Sequence, residues 1–196
     1  MKWLALYILL VSAVGCSMIP SVEVDKNDPG LQKTSKGLLQ YQGKLFSGYT
    51  ITRFENGNIS ATTAYYEGQK HGRNAGYYSS GELNYERNYH HGEKHGTHRG
   101  YYQGGAVRFE YTFNHGENVG THYEWYEDGS MAMEANYKNG QPFGTQRVWR
   151  SDGKLRTNYV IREDGRKYGL VGIKRCKNID TEEERVKPLT AAVYEK

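Results

Sequence analysis

Histidine is the residue type whose number and placement most directly suggest chemistry in this sequence. The chain contains seven histidines, and all of them fall between residues 71 and 122. Three histidine or carboxylate ligands can bind Zn²⁺ or Cu²⁺ when their donor atoms lie about 2.0–2.1 Å from one ion. His91, His95 and His98 lie in or beside one short segment bounded by glycines, and they are the candidate ligands. The alternative is a polar segment that carries histidine without binding a metal.

Tyrosine and tryptophan form the second group of candidate functional residues. Their side chains combine an apolar ring with a polar tip, which suits a wet binding surface for peptides or glycans. Neighbouring positions of a strand point to opposite faces, so we expect one of two adjacent aromatic series to be structural and the other to be exposed. The candidate binding series is Tyr77, Tyr101, Trp125 and Trp149, and the adjacent series is Tyr78, Tyr102 and Tyr126.

The first of the two cysteines follows a short apolar run at the start of the chain. Residues 3–14 are apolar after Lys2, which is too short to span a bilayer and is typical of a secretory signal. Residues 13–16 read Ala-Val-Gly-Cys and resemble a bacterial lipobox, which implies that Cys16 carries fatty acids such as palmitate. Ser17 resembles the residue found in lipoproteins of the outer membrane. The alternative is an ordinary signal peptide with Cys16 unmodified.

The rest of the sequence carries no recognisable catalytic motif. It lacks a P-loop, a Gly-x-Ser-x-Gly segment and a His-Glu-x-x-His segment. Cys176 is the remaining thiol, and it is a free thiol, an intermolecular bridge or an inert side chain. The net charge of +4 comes without a basic cluster, which gives no reason to expect nucleic acid. We therefore expect no catalytic residue and no cofactor.

A repeat of 24 residues determines where these side chains lie. Glycine recurs at that interval in three series, and apolar residues follow the same interval, so five units run from about residue 44 to residue 164. The three glycine series are Gly68, Gly92, Gly116, Gly140; Gly48, Gly72, Gly96, Gly120, Gly144; and Gly57, Gly81, Gly105, Gly129, Gly153.

Each unit is predicted to be a β-hairpin. Pairs such as Asn56-Gly57 and Asp128-Gly129 supply the positive φ angles that a tight turn needs. A single hairpin is marginally stable in water, whereas stacked hairpins protect one another's edges. The predicted fold class is all-β: an elongated, single-layer antiparallel sheet of about five hairpins, with one face apolar and the other charged.

The predicted domain boundaries follow from this organisation. Residues 1–15 are a helical signal peptide, and residues 16–36 are a lipid-anchored tether. Residues 37–173 form the repeat array, and residues 174–196 form a charged, flexible tail.

The repeat pattern, Gly-x-x-x-Gly followed by an aromatic-Tyr-x-x-Gly-x-Leu segment, resembles the bacterial variant of the MORN repeat. The resemblance covers about residues 37–169. It implies a single-layer array of hairpins used for association with proteins or membranes. Exported bacterial members often carry the label YwqK-type antitoxin-like protein, which implies partner binding without a catalytic motif.

We therefore expect a lipoprotein of the cell envelope, at the outer membrane, that binds an unidentified envelope protein without catalysis. Cys16 would fix its location, and Tyr77, Tyr101, Trp125 and Trp149 would contact the partner. A glycan-binding or cell-wall-binding module is the first alternative. A metal-binding protein that uses the histidines of the repeats is the second.

Overall fold

The computed structural model describes residues 19–171, and the regular elements there are β-strands. The strands are β1 (Glu23–Asp25), β2 (Leu31–Lys33), β3 (Leu39–Tyr41), β4 (Lys44–Leu45), β5 (Gly48–Arg53), β6 (Ile59–Tyr66), β7 (Gln69–Lys70), β8 (Gly72–Tyr77), β9 (Leu83–His90), β10 (Glu93–Lys94), β11 (Gly96–Tyr101), β12 (Val107–Asn114), β13 (Glu117–Asn118), β14 (Gly120–Trp125), β15 (Met131–Lys138), β16 (Gln141–Trp149), β17 (Leu155–Ile161) and β18 (Lys167–Leu170). The predicted signal peptide, Cys16, Cys176 and the charged tail lie outside the described residues.

One long open sheet dominates the fold. Its strand order is β1-β5-β6-β8-β9-β11-β12-β14-β15-β16-β17-β18, so the strands from β5 onward follow one another as a meander. All neighbours are antiparallel except β1 and β5, which pair in parallel. The five hairpins are β5–β6, β8–β9, β11–β12, β14–β15 and β16–β17. The prediction of an all-β, single-layer antiparallel sheet of about five hairpins is confirmed.

The hairpin turns follow the predicted turn chemistry. In the first hairpin, the backbone N–H of Phe54 donates to Asn58 O at 2.8 Å, and that of Gly57 donates to Phe54 O at 2.9 Å. Gly57 has φ of 84°, a left-handed conformation in which a Cβ would be strained. The same two hydrogen bonds recur in the four other hairpins. These turns form one long edge of the sheet.

The segments between hairpins are themselves tight turns. His91 and Gly92 both have positive φ, 46° and 87°, as a two-residue type I′ turn requires, and they join β9 to the two-residue strand β10. The backbone N–H of Gly92 donates to Lys70 O at 2.8 Å, so this turn rests on the preceding repeat. The next turn repeats the arrangement, with Gly116 N donating to Lys94 O. These stacked turns form the opposite long edge of the sheet.

The beginning of the described chain differs from the predicted tether over residues 16–36. Val24 is buried in β1, which pairs with β5 and covers a strand edge that would otherwise be open. Strands β2, β3 and β4 form a separate three-stranded sheet, and Leu39 N donates to Gly68 O at 2.9 Å. Two segments of the predicted tether are therefore strands. Local charge and proline content do not reveal such pairing with a distant strand.

The two faces of the long sheet differ in chemistry. Cross-strand register and strand alternation place the aromatic face and the charged face on opposite sides. The aromatic face carries Tyr85, Tyr89, Phe109, Tyr111, Phe113 and Tyr137. The charged face carries Arg73, Glu86, Arg99, Glu110, Glu134 and Arg147, which form ion pairs across neighbouring strands.

Candidate functional site

Two of the seven histidines are buried structural residues on the aromatic face. His98 and His122 are each 3% exposed. The Nε2–H of His98 donates to Asn88 O at 2.7 Å, and that of His122 donates to Thr112 O at 2.9 Å. Both carbonyls belong to the preceding long strand, so each imidazole bridges two neighbouring strands. The predicted metal-ligand role of His98 is therefore not supported, because burial and this hydrogen bond occupy its side chain.

In the flanking repeats, the residues equivalent to His98 and His122 also form a hydrogen bond to the backbone of a neighbouring strand. Gln146 Nε2 donates to Asn136 O at 2.8 Å, and Asn74 Oδ1 accepts from Ala64 N at 2.9 Å. We call Asn74, His98, His122 and Gln146 the bridging residues. They recur every 24 residues, and this polar series within an otherwise aromatic face was a signal available in the sequence.

Burial lowers the pKa of His98 and of His122, because an imidazolium loses hydration there. The hydrogen bond to the backbone carbonyl opposes this shift in each case. The positive charge of Lys94 lowers both pKa values further, and the positive charge of Arg87 also lowers the pKa of His98. The folded protein therefore favours the neutral form of both side chains.

We expect the free energy of unfolding to fall as the pH drops below about 6.5, the pKa of an unperturbed histidine. Below that value the unfolded chain binds protons that the folded chain does not, and the loss continues down to the folded pKa of each imidazole. The double variant His98→Gln/His122→Gln should show a smaller decrease in urea unfolding measured between pH 7.5 and 5. His71, whose pKa is also lowered by burial, is present in both proteins, so the difference isolates the two bridging residues. Identical pH profiles would contradict the assignment.

The other five histidines form one patch along the edge of stacked tight turns. We call His71, His90, His91, His95 and His115 the histidine patch. The ring of His91 lies 4.9 Å from that of His71 and 4.5 Å from that of His90, and the rings of His95 and His115 are 5.4 Å apart. The sequence suggested His91, His95 and His98 as ligands, whereas the structure places His91 and His95 each beside a histidine from a neighbouring turn.

Stacking of the turns explains this arrangement. The hydrogen bond from Gly92 N to Lys70 O sets the turn of His91 against the strand that precedes His71. The corresponding bond from Gly116 N to Lys94 O brings His115 next to His95. Residues in contact here are 20 positions apart rather than 24. One ring nitrogen from each of His71, His90 and His91 lies within 4.8 Å of the others.

The aromatic series of Tyr78, Tyr102 and Tyr126 has a structural role. Each phenol O–H donates to the backbone carbonyl of the residue 23 positions later, at 2.8–2.9 Å. The acceptors are Tyr101, Trp125 and Trp149. These three hydrogen bonds connect successive repeats beside the hairpin turns.

The other aromatic series forms a row of apolar pairs on the charged face, beside the hairpin turns. Each of its members lies directly opposite an aliphatic residue of the partner strand. Val107 and Leu155 are 37% and 42% exposed. We call the set the apolar ladder: Tyr77 with Leu83, Tyr101 with Val107, Trp125 with Met131, and Trp149 with Leu155. The spacing of six residues across each turn could have revealed these pairs in the sequence.

The apolar ladder is joined to the ion pairs of the charged face. The phenol O–H of Tyr101 donates to Glu86 Oε1 at 3.0 Å, and Arg73 Nε lies 3.0 Å from Glu86 Oε2. Burial alone would raise the pKa of Glu86, but the hydrogen bonds from Arg73 and Tyr101 outweigh it and lower that pKa. A separate groove of about 290 Å³ includes Phe109 and Tyr111 of the aromatic face as well as Trp125.

The fold and the site together define an open array of β-hairpin repeats that presents long faces and edges. Residues 118–139, which include β14 and β15, match the family described as MORN repeat variant. This segment is therefore similar to a MORN repeat variant, and the other hairpins recur at the same interval of 24 residues. A comparison with curated proteins gives no match. Within residues 19–171, no helix has the length and apolar character to cross a membrane.

Proposed function

We propose that this chain is a non-catalytic binding module that recognises another protein of the bacterial cell envelope through the apolar ladder. The observation that carries the proposal is the ladder itself, in which aromatic and aliphatic side chains recur in four successive repeats on a charged face. Two strands per repeat advance about 10 Å, so the four pairs extend over roughly 30 Å. In protein interfaces, tyrosine and tryptophan are enriched at the centre, and polar and charged side chains form the rim around them.

The ion pairs beside the ladder support a protein partner. Arg73, Glu86, Arg99 and Glu110 form a continuous line of alternating charges across β8, β9, β11 and β12. These charges are partly exposed, and a rim of this kind contributes more to orientation and association rate than to affinity. A partner would need apolar side chains at a matching interval and complementary charges beside them.

We further propose that acylation of Cys16 anchors the module to the outer membrane. The lipobox-like residues 13–16 and Ser17 support this proposal. An extended array attached at one end would present its long faces away from the membrane surface. The YwqK-type antitoxin-like label fits the same proposal, because it denotes partner binding without catalysis.

The test introduces charge into the apolar ladder of the full-length lipidated protein. We expect Val107→Lys and Leu155→Lys to abolish one specific crosslink to an envelope protein, because a partner surface would have to bury the new ammonium group. Both residues are exposed enough for the fold to tolerate lysine, which circular dichroism would check. The measurement is mass spectrometry of crosslinked envelope fractions.

Val160→Lys is the matched control. Val160 is 40% exposed and lies on the same face in β17, but outside the apolar ladder. We expect this variant to keep the crosslink. If all three variants capture the envelope protein equally well, the proposal is contradicted. If the unmodified protein instead binds peptidoglycan, and the ladder variants do not, the apolar ladder is a glycan-binding surface.

A further inference from the structure

We propose that His71, His90 and His91 form a binding site for a divalent transition-metal ion of the Zn²⁺ class. This site lies on the edge of stacked tight turns, and it is separate from the apolar ladder beside the hairpin turns. The proposal therefore does not depend on the proposed protein-binding function. It differs from the ligand set indicated by the sequence, because it replaces His95 and His98 with His71 and His90.

The distances among the three imidazoles are within reach of one ion. One nitrogen of each ring lies within 4.8 Å of the other two. Zn–N bonds of about 2.0–2.1 Å in a tetrahedral site place ligand nitrogens about 3.3 Å apart. The nitrogens must therefore approach one another by at most about 1.5 Å. Rotation of the exposed side chains of His90 and His91 achieves this, whereas Nδ1 of the half-buried His71 already accepts a hydrogen bond from His91 N at 3.4 Å.

The backbone that carries these residues is already in place. His91 is held in its turn by a left-handed φ of 46° and by the hydrogen bond from Gly92 N to Lys70 O. His90 is the last residue of β9, and its backbone pairs with Glu93 across the same turn. His71 directly follows β7 in the neighbouring turn. Metal binding then orders side chains and requires no rearrangement of the chain, which lowers its entropic cost.

The donor set selects the kind of ion. Three imidazole nitrogens suit Zn²⁺, Cu²⁺ or Ni²⁺, whereas Mg²⁺ and Ca²⁺ prefer oxygen ligands. Glu93 Oε2 lies 3.4 Å from Nδ1 of His115, which belongs to the turn on the other side of His91 from His71. Three protein ligands leave the fourth position of a tetrahedral ion to water or to a further ligand.

The test titrates Zn²⁺ into the full-length protein, prepared in detergent without a polyhistidine tag and in a buffer that does not bind metals. We expect calorimetry to show one Zn²⁺ per chain. His91→Asn should weaken this binding at least tenfold, since even the loss of a group that only supports a ligand costs 10–100-fold. X-ray absorption of the loaded protein should show nitrogen ligands at about 2.0–2.1 Å.

His115→Asn is the matched control. His115 occupies the same turn position one repeat later, with φ of 44°, and Asn139 shows that asparagine suits this position. Both variants therefore keep the turn and remove one imidazole, but only His91→Asn should weaken the binding. Absence of saturable uptake by the unmodified protein, or equal weakening by the two variants, would overturn the proposed site. Val107→Lys should leave Zn²⁺ binding unchanged, which separates this result from the protein-binding test.

Discussion

Gly100→Val is expected to lower the free energy of unfolding by about 1–3 kcal/mol, the cost of overpacking a filled site. Gly100 lies in β11 directly opposite Phe109, and the phenyl ring covers the position that a Cβ would occupy. The backbone of Gly100 is not in a left-handed conformation, so the cost comes from displacement of the ring and not from φ. Urea unfolding of the full-length protein measures the effect, and hydrogen exchange in β11 and β12 locates it.

The repeats of this chain suggest the compensating change. Gly76 also lies under an aromatic ring, that of Tyr85, whereas the equivalent position in a later repeat pairs Val148 with Thr157. Phe109→Thr should therefore relieve much of the cost of Gly100→Val, because the double variant reproduces a pair that β16 and β17 already use. A double-mutant cycle measures this coupling. Strictly additive costs would contradict the proposed contact.

His122→Leu is expected to lower the free energy of unfolding by about 1–3 kcal/mol, through the loss of one hydrogen bond and of aromatic ring contacts. Thr112 O keeps its second hydrogen bond, from Val119 N at 3.0 Å, so the carbonyl is not left without a partner. Leucine fills similar space but cannot donate to Thr112 O, which His122 Nε2 reaches at 2.9 Å. The change also removes ring contacts with Tyr111 and Tyr137, whose centroids lie 4.8 Å and 4.5 Å from the imidazole. Urea unfolding at pH 7.5 measures the loss with the imidazole neutral.

His122→Gln is the control for this prediction. Gln146 occupies the equivalent position and donates to Asn136 O at 2.8 Å, so glutamine can supply the same bridge. We expect this variant to retain more stability than His122→Leu. The reverse order would show that ring packing, and not the hydrogen bond, is the main contribution of the bridging residues.

The fold was predictable because its signals are local. Asn56-Gly57 and Asp152-Gly153 favour tight turns through their own φ preferences, and the alternation around them sets the strands. Repetition of the same pattern every 24 residues then predicts that equal units stack on one another. The parallel pairing of Val24 with Thr50 was not predictable in this way, because it joins a segment without a repeat signal to the edge of the first hairpin.

The candidate sites were less predictable, because they depend on which neighbours the stacking brings together. His98 and His91 belong to the same residue type and lie seven positions apart, yet one is buried between strands and the other is exposed at a turn. The buried role of His98 could have been predicted, because strand alternation places it on the aromatic face and polar residues, Asn74 and Gln146, occupy the equivalent positions of other repeats. No periodicity indicated that His71 contacts His91.

The sequence by itself determined that this protein is a row of β-hairpins, because glycine and asparagine set the turns through interactions within a few residues. The tertiary structure alone decided which histidines meet and which aromatic rings are exposed. Those contacts depend on the hydrogen bond from each tight turn to the repeat before it, as from Gly92 N to Lys70 O. Because of that bond, the histidines in contact between neighbouring turns are 20 residues apart in the sequence, as His71 and His91 are, and not 24. The bond forms only when the repeats have stacked.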